Sequence, residues 1–168
     1  MAAPRRGRYT FIRMTAGSVI PLFPLGVVLM PGMGLPLHIF EERYKLMIGE
    51  CLERRSEFGV LYEEMQRLED VGCTARIQQV LRRYPDGRID LMCAGVERFR
   101  LLELREDKRW LEGVVEPVVD ADSGEEEPEG LAERATALLV QLLGMLGRPA
   151  DLPGLRRLSG EQLSFRIA

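Results

Sequence analysis

IPLFPLGVVLMPGMGLPLHIFEERYKLMIGECL, residues Ile20–Leu52, changes its periodicity partway along, and that change sets the fold class. In the first part, Pro21, Pro24, Pro31 and Pro36, with Gly26, Gly32 and Gly34, break up short apolar runs. A helix does not survive proline at this density, because each one removes an amide donor and clashes with the preceding turn. What remains is a strand at Gly26–Met30, a Pro-Gly turn and a second extended run at Leu35–Ile39. Over Glu41–Arg55 the period becomes helical: Tyr44, Met47, Ile48, Cys51 and Leu52 fall at i, i+3, i+4, i+7 and i+8, which buries one face. Glu41 and Glu42 suit the positive end of that helix, and Arg54 and Arg55 its negative end.

Beyond the helix the period returns to two. Phe58–Tyr62 reads as a strand, and Val71–Tyr84 alternates Cys73, Ala75 and Ile77 against Thr74, Arg76 and Gln78. Pro85-Asp86-Gly87 is a turn in which proline presets φ and glycine accepts a positive φ. The chain returns as Arg88–Ala94, continues as a separate run at Val96–Leu104, and ends its strand series at Trp110–Val118. Several short strands around a single helix predict a mainly antiparallel sheet curled into a barrel.

Residues 120–130 read as a solvated linker, since Asp120, Asp122, Glu125, Glu126, Glu127 and Glu129 repel one another with no base among them. After it, Leu131–Leu146 is helical and apolar around most of its circumference, so it requires cover from other protein. The remaining candidate within the sequence is Ser159–Ala168, where Ser159 and Gln162 stand at capping-box spacing.

The 168 residues carry 23 Lys+Arg, 26 Asp+Glu and one His, a formal charge of −3. Such a balance argues against a dedicated nucleic-acid binder, which presents a strongly basic face. No apolar run approaches the ~20 residues of a membrane span. The basic lead Met1–Arg8 has no apolar stretch behind it, which argues against a secretory leader, and Met14 reads as an alternative start. Cys51, Cys73 and Cys93 are odd in number, far apart and set in apolar patterns; they read as buried free thiols in a reducing cytoplasm. With Lys45 and Lys108 as the only lysines, a phosphate-binding Gly-Lys-Ser/Thr loop is absent and a Ser-Lys nucleophile has no base. His38 sits in an apolar strand and reads as structural, while zinc-ligand spacing does not occur. The acid pairs Glu41/Glu42 and Glu63/Glu64 diverge from their own backbones and cannot flank a bond. Arg82-Arg83-Tyr84 and Arg98-Phe99-Arg100 are a thin version of the interleaving that single-stranded RNA requires. No catalytic residue, cofactor or metal is expected.

The opening stretch also follows a pattern, P-L-x-P-L-x-x-V-x-x-P-G-x-x-L-P-L-x-I-F-E-x-R-Y, matched by Pro21, Leu22, Pro24, Leu25, Val28, Pro31, Gly32, Leu35, Pro36, Leu37, Ile39, Phe40, Glu41, Arg43 and Tyr44. In this it closely resembles the amino-terminal substrate-binding domain of the Lon ATP-dependent proteases. Phe58-Gly59-Val60, Val71–Ile77, Asp86-Gly87 and Gly95–Arg100 extend the resemblance to about Val118, with an echo at Leu163–Arg166. The resemblance implies a PUA-like pseudo-barrel of antiparallel strands, α+β but mainly β, with one helix after the second strand and a short C-terminal helical segment. The expected divisions are an N-terminal extension (1–18), a β-rich domain (19–119), the acidic linker (120–130) and the helical segment (131–168), a truncated bundle. ATPase and protease modules follow this region in Lon-type proteases; the expectation here is a stand-alone member of the family without them, to which only polypeptide recognition carries over. The expected function is a non-catalytic, cytoplasmic, bacterial module that binds exposed apolar segments of unfolded or partner proteins. An RNA-binding accessory protein and a dimerisation module are the alternatives. Met30, Met33, Tyr62 and Met65 are the expected peptide contacts, because thioethers adapt to varied apolar ligands, and Met33 in its Pro-Gly turn is foremost. Met47 and Met92 are expected to fill the core. A homo-oligomer through the Leu131–Leu146 helix is expected, with neither nucleic acid nor membrane as partner.

Overall fold

Alternation runs longest in the middle of the chain, and there the two longest strands form. The computed structural model describes residues 14–120, 130–149, 151–155, 157–158 and 160–167. The N-terminal extension up to residue 13, residues 121–129 of the acidic linker, and the expected cap Ser159 lie outside them. In chain order the elements are β1 (Ser18–Leu25), β2 (Gly34–Ile39), α1 (Glu42–Arg54), β3 (Phe58–Glu64), β4 (Arg67–Arg83), β5 (Ile89–Arg105) and β6 (Glu112–Pro117), then α2 (Leu131–Met145), α3 (Leu152–Leu155) and α4 (Gly160–Ile167).

The strands order as β2-β5-β4-β3-β1-β6, and β6 pairs back onto β5, so five of them close into a ring with β2 laid against its side. Every ladder among the described residues is antiparallel except β1–β3. Closure depends on the length of β5. One edge follows β4, while the other serves β2 from Ile89 to Ala94 and β6 from Phe99 to Arg105. Between the two ladders that edge carries no strand. At the far end, Gly87 takes φ 84° in the β4–β5 turn, and the Tyr84 amide donates to the Arg88 carbonyl at 2.9 Å.

Two sequence expectations need correction. Gly26–Met30 is not a strand; the first strand is Ser18–Leu25, prolines included. β1 pairs with β6 through Ser18–Pro21 and with β3 through Leu22–Leu25, so each half has one unladdered side on which a residue without an amide hydrogen is tolerated. Gly26–Met30 crosses the core instead, with Leu29 buried and Val27 packed against the same cluster. Likewise Arg88–Ala94 and Val96–Leu104 are one continuous strand, because Gly95 does not interrupt the ladder but makes room above it.

Two clusters fill the interior. The larger joins α1, through Tyr44, Met47, Ile48 and Cys51, to Phe58, Val60, Ala75, Leu91 and Cys93. Phe23 meets Tyr44 edge-on, with ring centroids 4.1 Å apart. The smaller places Leu22, Leu61, Phe99 and Val115 together. α1 ends one residue short of the expected Arg55, which turns left-handed at φ 53°, and the Ser56 amide donates to the Cys51 carbonyl at 3.0 Å. All three cysteines are free and buried in the larger cluster. Burial pushes the Cys51 thiol up to about 11 and those of Cys73 and Cys93 up to about 12, so none is a nucleophile at neutral pH.

β2 is an edge strand whose one ladder among the described residues is with β5, and it contains Pro36. The helical segment covers itself only in part. α2 contacts α4, and Leu155 and Leu163 are buried, yet no α2 residue is buried. Among the described residues no helix is long and apolar enough to cross a membrane.

Candidate functional site

The unladdered edge of β5 becomes the floor of a groove. Because the β2 ladder ends at Ala94 of β5 and the β6 ladder begins at Phe99 of β5, the Pro31–Gly34 turn drops onto Gly95: the Gly32 amide donates to the Gly95 carbonyl and the Gly95 amide to the Met33 carbonyl, both at 2.9 Å. Gly95 has to be glycine, since a Cβ there would lie 2.1 Å from the Met30 carbonyl oxygen. The turn is thereby fixed at one rim. Val118, whose amide donates to the Arg98 carbonyl at 3.0 Å, sets the rim across from it.

The groove encloses about 1030 Å³ between this ring face and the helical segment. Val96, Val118 and Val119 line one wall and Leu139, Leu143, Leu155 and Phe165 the other. Arg98 spans the two: its Nη2 donates to Asp120 Oδ1 at 2.9 Å and its guanidinium lies 4.9 Å from the Phe165 ring centre. Glu97, Arg98, Arg148 and Asp151 contribute two charges of each sign, so the lining favours an uncharged occupant. The backbone amide of Met14 donates to Glu97 Oε1 at 3.3 Å, which brings the start of the described chain to the same place.

The four expected contact residues do not assemble in one place. Met30 and Met33 flank the Pro31-Gly32 pair that lines the groove, Met33 being 38% exposed. Tyr62 is half-buried near the end of β3, and Met65, 94% exposed, stands at the β3–β4 turn with φ 49°. None of the four side chains lines the groove. Of the two expected core methionines, Met47 is fully buried and Met92 half-buried. The apolar part of the lining consists mainly of valines and leucines from segments far apart in the chain. No local signal in the sequence marks them, since the groove forms only where the β2 and β6 ladders leave a stretch of β5 between them.

Other charged and aromatic candidates resolve into local structure. Glu41 pairs with Arg43 and Glu42 with Lys45. Phe99 is fully buried, so Arg98-Phe99-Arg100 presents no ring to a base. Tyr84 is held between the Arg82 and Arg88 guanidiniums at 4.6 and 4.9 Å. His38 is satisfied, as expected of a structural histidine, but it is exposed rather than enclosed in apolar surroundings. Its Nδ1 donates to Asp90 Oδ1 at 2.5 Å, and the Tyr84 hydroxyl donates to Asp90 Oδ2 at 2.8 Å.

These bonds, from His38 first and then Tyr84, hold the Asp90 carboxyl below its usual range. A carboxylate whose folded pKa is depressed stabilises the fold above its unfolded value and loses that contribution as pH falls through the folded one. Urea midpoints of wild type and Asp90→Asn therefore differ most near neutrality. They converge as pH drops below the ordinary aspartate value of about 4. A gap that stays constant down to low pH would show that Asp90 contributes nothing through its charge.

The family model of the ATP-dependent protease La (LON) substrate-binding domain matches residues 19–162. The Lon protease of Parabacteroides distasonis is 32% identical over 143 residues, which make up 79% of this chain and 17% of that protein. The Lon protease of Cytophaga hutchinsonii is 24% identical over 138 residues, again 17% of its length. The chain thus spans about a sixth of these relatives. Among solved structures, the Lon N-terminal domain protein from Xanthomonas campestris superposes with a TM-score of 0.62 at 31% identity, covering 76% of this chain and 75% of that one. The N-terminal domain of the Mycobacterium avium complex Lon protease does so with a TM-score of 0.69, over 89% of this chain and 81% of that one; at 19% identity it shows the fold alone.

Proposed function

As the chain belongs to the ATP-dependent protease La (LON) substrate-binding domain family, we propose that it is a non-catalytic, cytoplasmic polypeptide-recognition module whose groove takes exposed apolar segments of unfolded or partner proteins. The observation that supports this reading is the groove itself, with apolar side chains on both walls, balanced in charge and floored by the stretch of β5 between the β2 and β6 ladders. Apolar walls without a charge bias reward any greasy segment of suitable size and select weakly among sequences, as a general recognition module requires. Met30 and Met33 extend the contact from the rim at Pro31-Gly32, and Tyr62 and Met65 form a second, separate patch.

The experiment is fluorescence anisotropy of a labelled, reduced and carboxymethylated model protein titrated with the full chain. Leu143→Asp puts a charge on the groove wall and is expected to weaken binding at least about tenfold, or roughly 1.4 kcal/mol. Met33→Ser removes one rim contact and is expected to weaken it roughly threefold. Circular dichroism checks that both variants stay folded. Binding that neither substitution alters, or no binding by wild type, refutes the reading.

A further inference from the structure

Met14 is where the described chain begins, and it is anchored at the groove. Its side chain is buried with Leu22, Leu61, Phe99 and Val115, and its backbone amide donates at 3.3 Å to Oε1 of Glu97, a residue of the groove lining. Consecutive Cα atoms stand 3.8 Å apart, so Ile12 and Phe11 lie within about 8 and about 11 Å of Met14 by connectivity alone. Their chemistry suits the groove. Tyr9-Thr10-Phe11-Ile12 is an uncharged stretch between Arg8 and Arg13, with large apolar surface on Tyr9, Phe11 and Ile12. The lining, apolar on both walls and carrying two charges of each sign, favours an uncharged occupant. Residues 1–13 hold four arginines and no acid, so all 26 acids of the chain come after them, and Arg13 adjoins the residue bonded to Glu97.

We propose that residues 9–12 of the chain's own N-terminal segment occupy the groove as an internal competitor, which a client polypeptide has to displace. The proposal rests on the reading of the groove as a polypeptide site and adds its regulation. Phe11 and Ile12 supply the apolar contact, and Arg13 supplies the charge that meets Glu97. A ligand tethered a few residues from its site acts at an effective concentration in the millimolar range. An intrinsic affinity on the order of 0.1 mM then weakens any competitor roughly tenfold. Two consequences follow from the same occupancy. The apolar walls are covered when no client is present, which removes an exposed patch that invites aggregation. Segments less apolar than residues 9–12 are also turned away, so the tail sets a threshold for capture.

The test titrates two labelled probes, a synthetic peptide of residues 1–13 and the carboxymethylated unfolded protein, with the full chain and with a chain starting at Met14. The shortened chain keeps every described residue. It is expected to bind the peptide with a dissociation constant on the order of 0.1 mM, and the full chain roughly tenfold more weakly, because its own tail competes. Leu143→Asp in the shortened chain is expected to weaken the peptide at least about tenfold. Phe11→Asp in the full chain is expected to tighten unfolded-protein binding roughly tenfold, as removal of residues 1–13 does. Circular dichroism checks that each variant stays folded. Equal affinity of the full and shortened chains for both probes, or a peptide indifferent to Leu143→Asp, overturns the proposal. If the peptide behaves as expected while the unfolded protein binds neither chain, internal occupancy stands and polypeptide recognition falls. Unfolded-protein binding that is the same in both chains, with no peptide binding, gives the reverse.

Discussion

Phe99→Ala is expected to lower the unfolding free energy by about 4 kcal/mol. The side chain is fully buried, and the tip of its ring fills the space left by two glycines. Its Cζ lies 2.7 Å from where a Cβ on Gly59 would stand and 2.8 Å from one on Gly72. With no side chains at these two positions, only the neighbouring Ile20, Leu22 and Leu61 could shift toward the hole. The loss therefore falls in the middle of the range for aromatic truncation. For a domain stabilised by roughly 5–15 kcal/mol, that removes about a quarter or more of the total. Urea unfolding at constant slope measures it. A shift under about 1 kcal/mol would mean that the ring interior collapses around the missing side chain.

Gly95→Ala is the other large effect, by the opposite mechanism. The added methyl would stand 2.1 Å from the Met30 carbonyl oxygen and 3.2 Å from Cys73 Sγ. The first neighbour is backbone, so the Pro31–Gly34 turn has to lift. Lifting it breaks the two hydrogen bonds that Gly95 exchanges with Gly32 and Met33. Overpacking costs about 1–3 kcal/mol and each uncompensated buried bond about 1 kcal/mol more, so a loss of about 3–5 kcal/mol is expected. The groove loses its rim as well, and binding of the unfolded reporter falls in the same variant at temperatures where it remains folded. Hydrogen exchange at Gly32 reads the local event separately from global unfolding. Unchanged protection there would show that the turn is not held by β5.

These two glycine-dependent features mark where sequence reading succeeds and where it stops. α1 was legible because its face at Tyr44, Met47, Ile48 and Cys51 repeats at the helical period, and β2 and β3 because their runs are bounded by turn residues. The strand assigned to Gly26–Met30 was misplaced, since an apolar run reads the same whether it ladders or merely covers a core. The true strand carries Pro21 and Pro24, and only the divided pairing of β1 makes them tolerable. Fusion of two runs into β5 was hidden because Gly95 reads as a breaker. The groove was invisible for a different reason. It arises where two strands, β2 and β6, share one edge of β5, a tertiary fact with no local signature, and its apolar lining is mostly ordinary valines and leucines rather than the methionines whose chemistry draws notice.

Pro36 has a consequence that reaches past this single molecule. A bare strand margin is a template on which loose, β-prone chains add and grow into fibrils. A protein that gathers such chains would hold them near its own margin at high local concentration. With an imide in place of an amide midway along β2, the row of outward donors is interrupted, so captured material finds no continuous seed there.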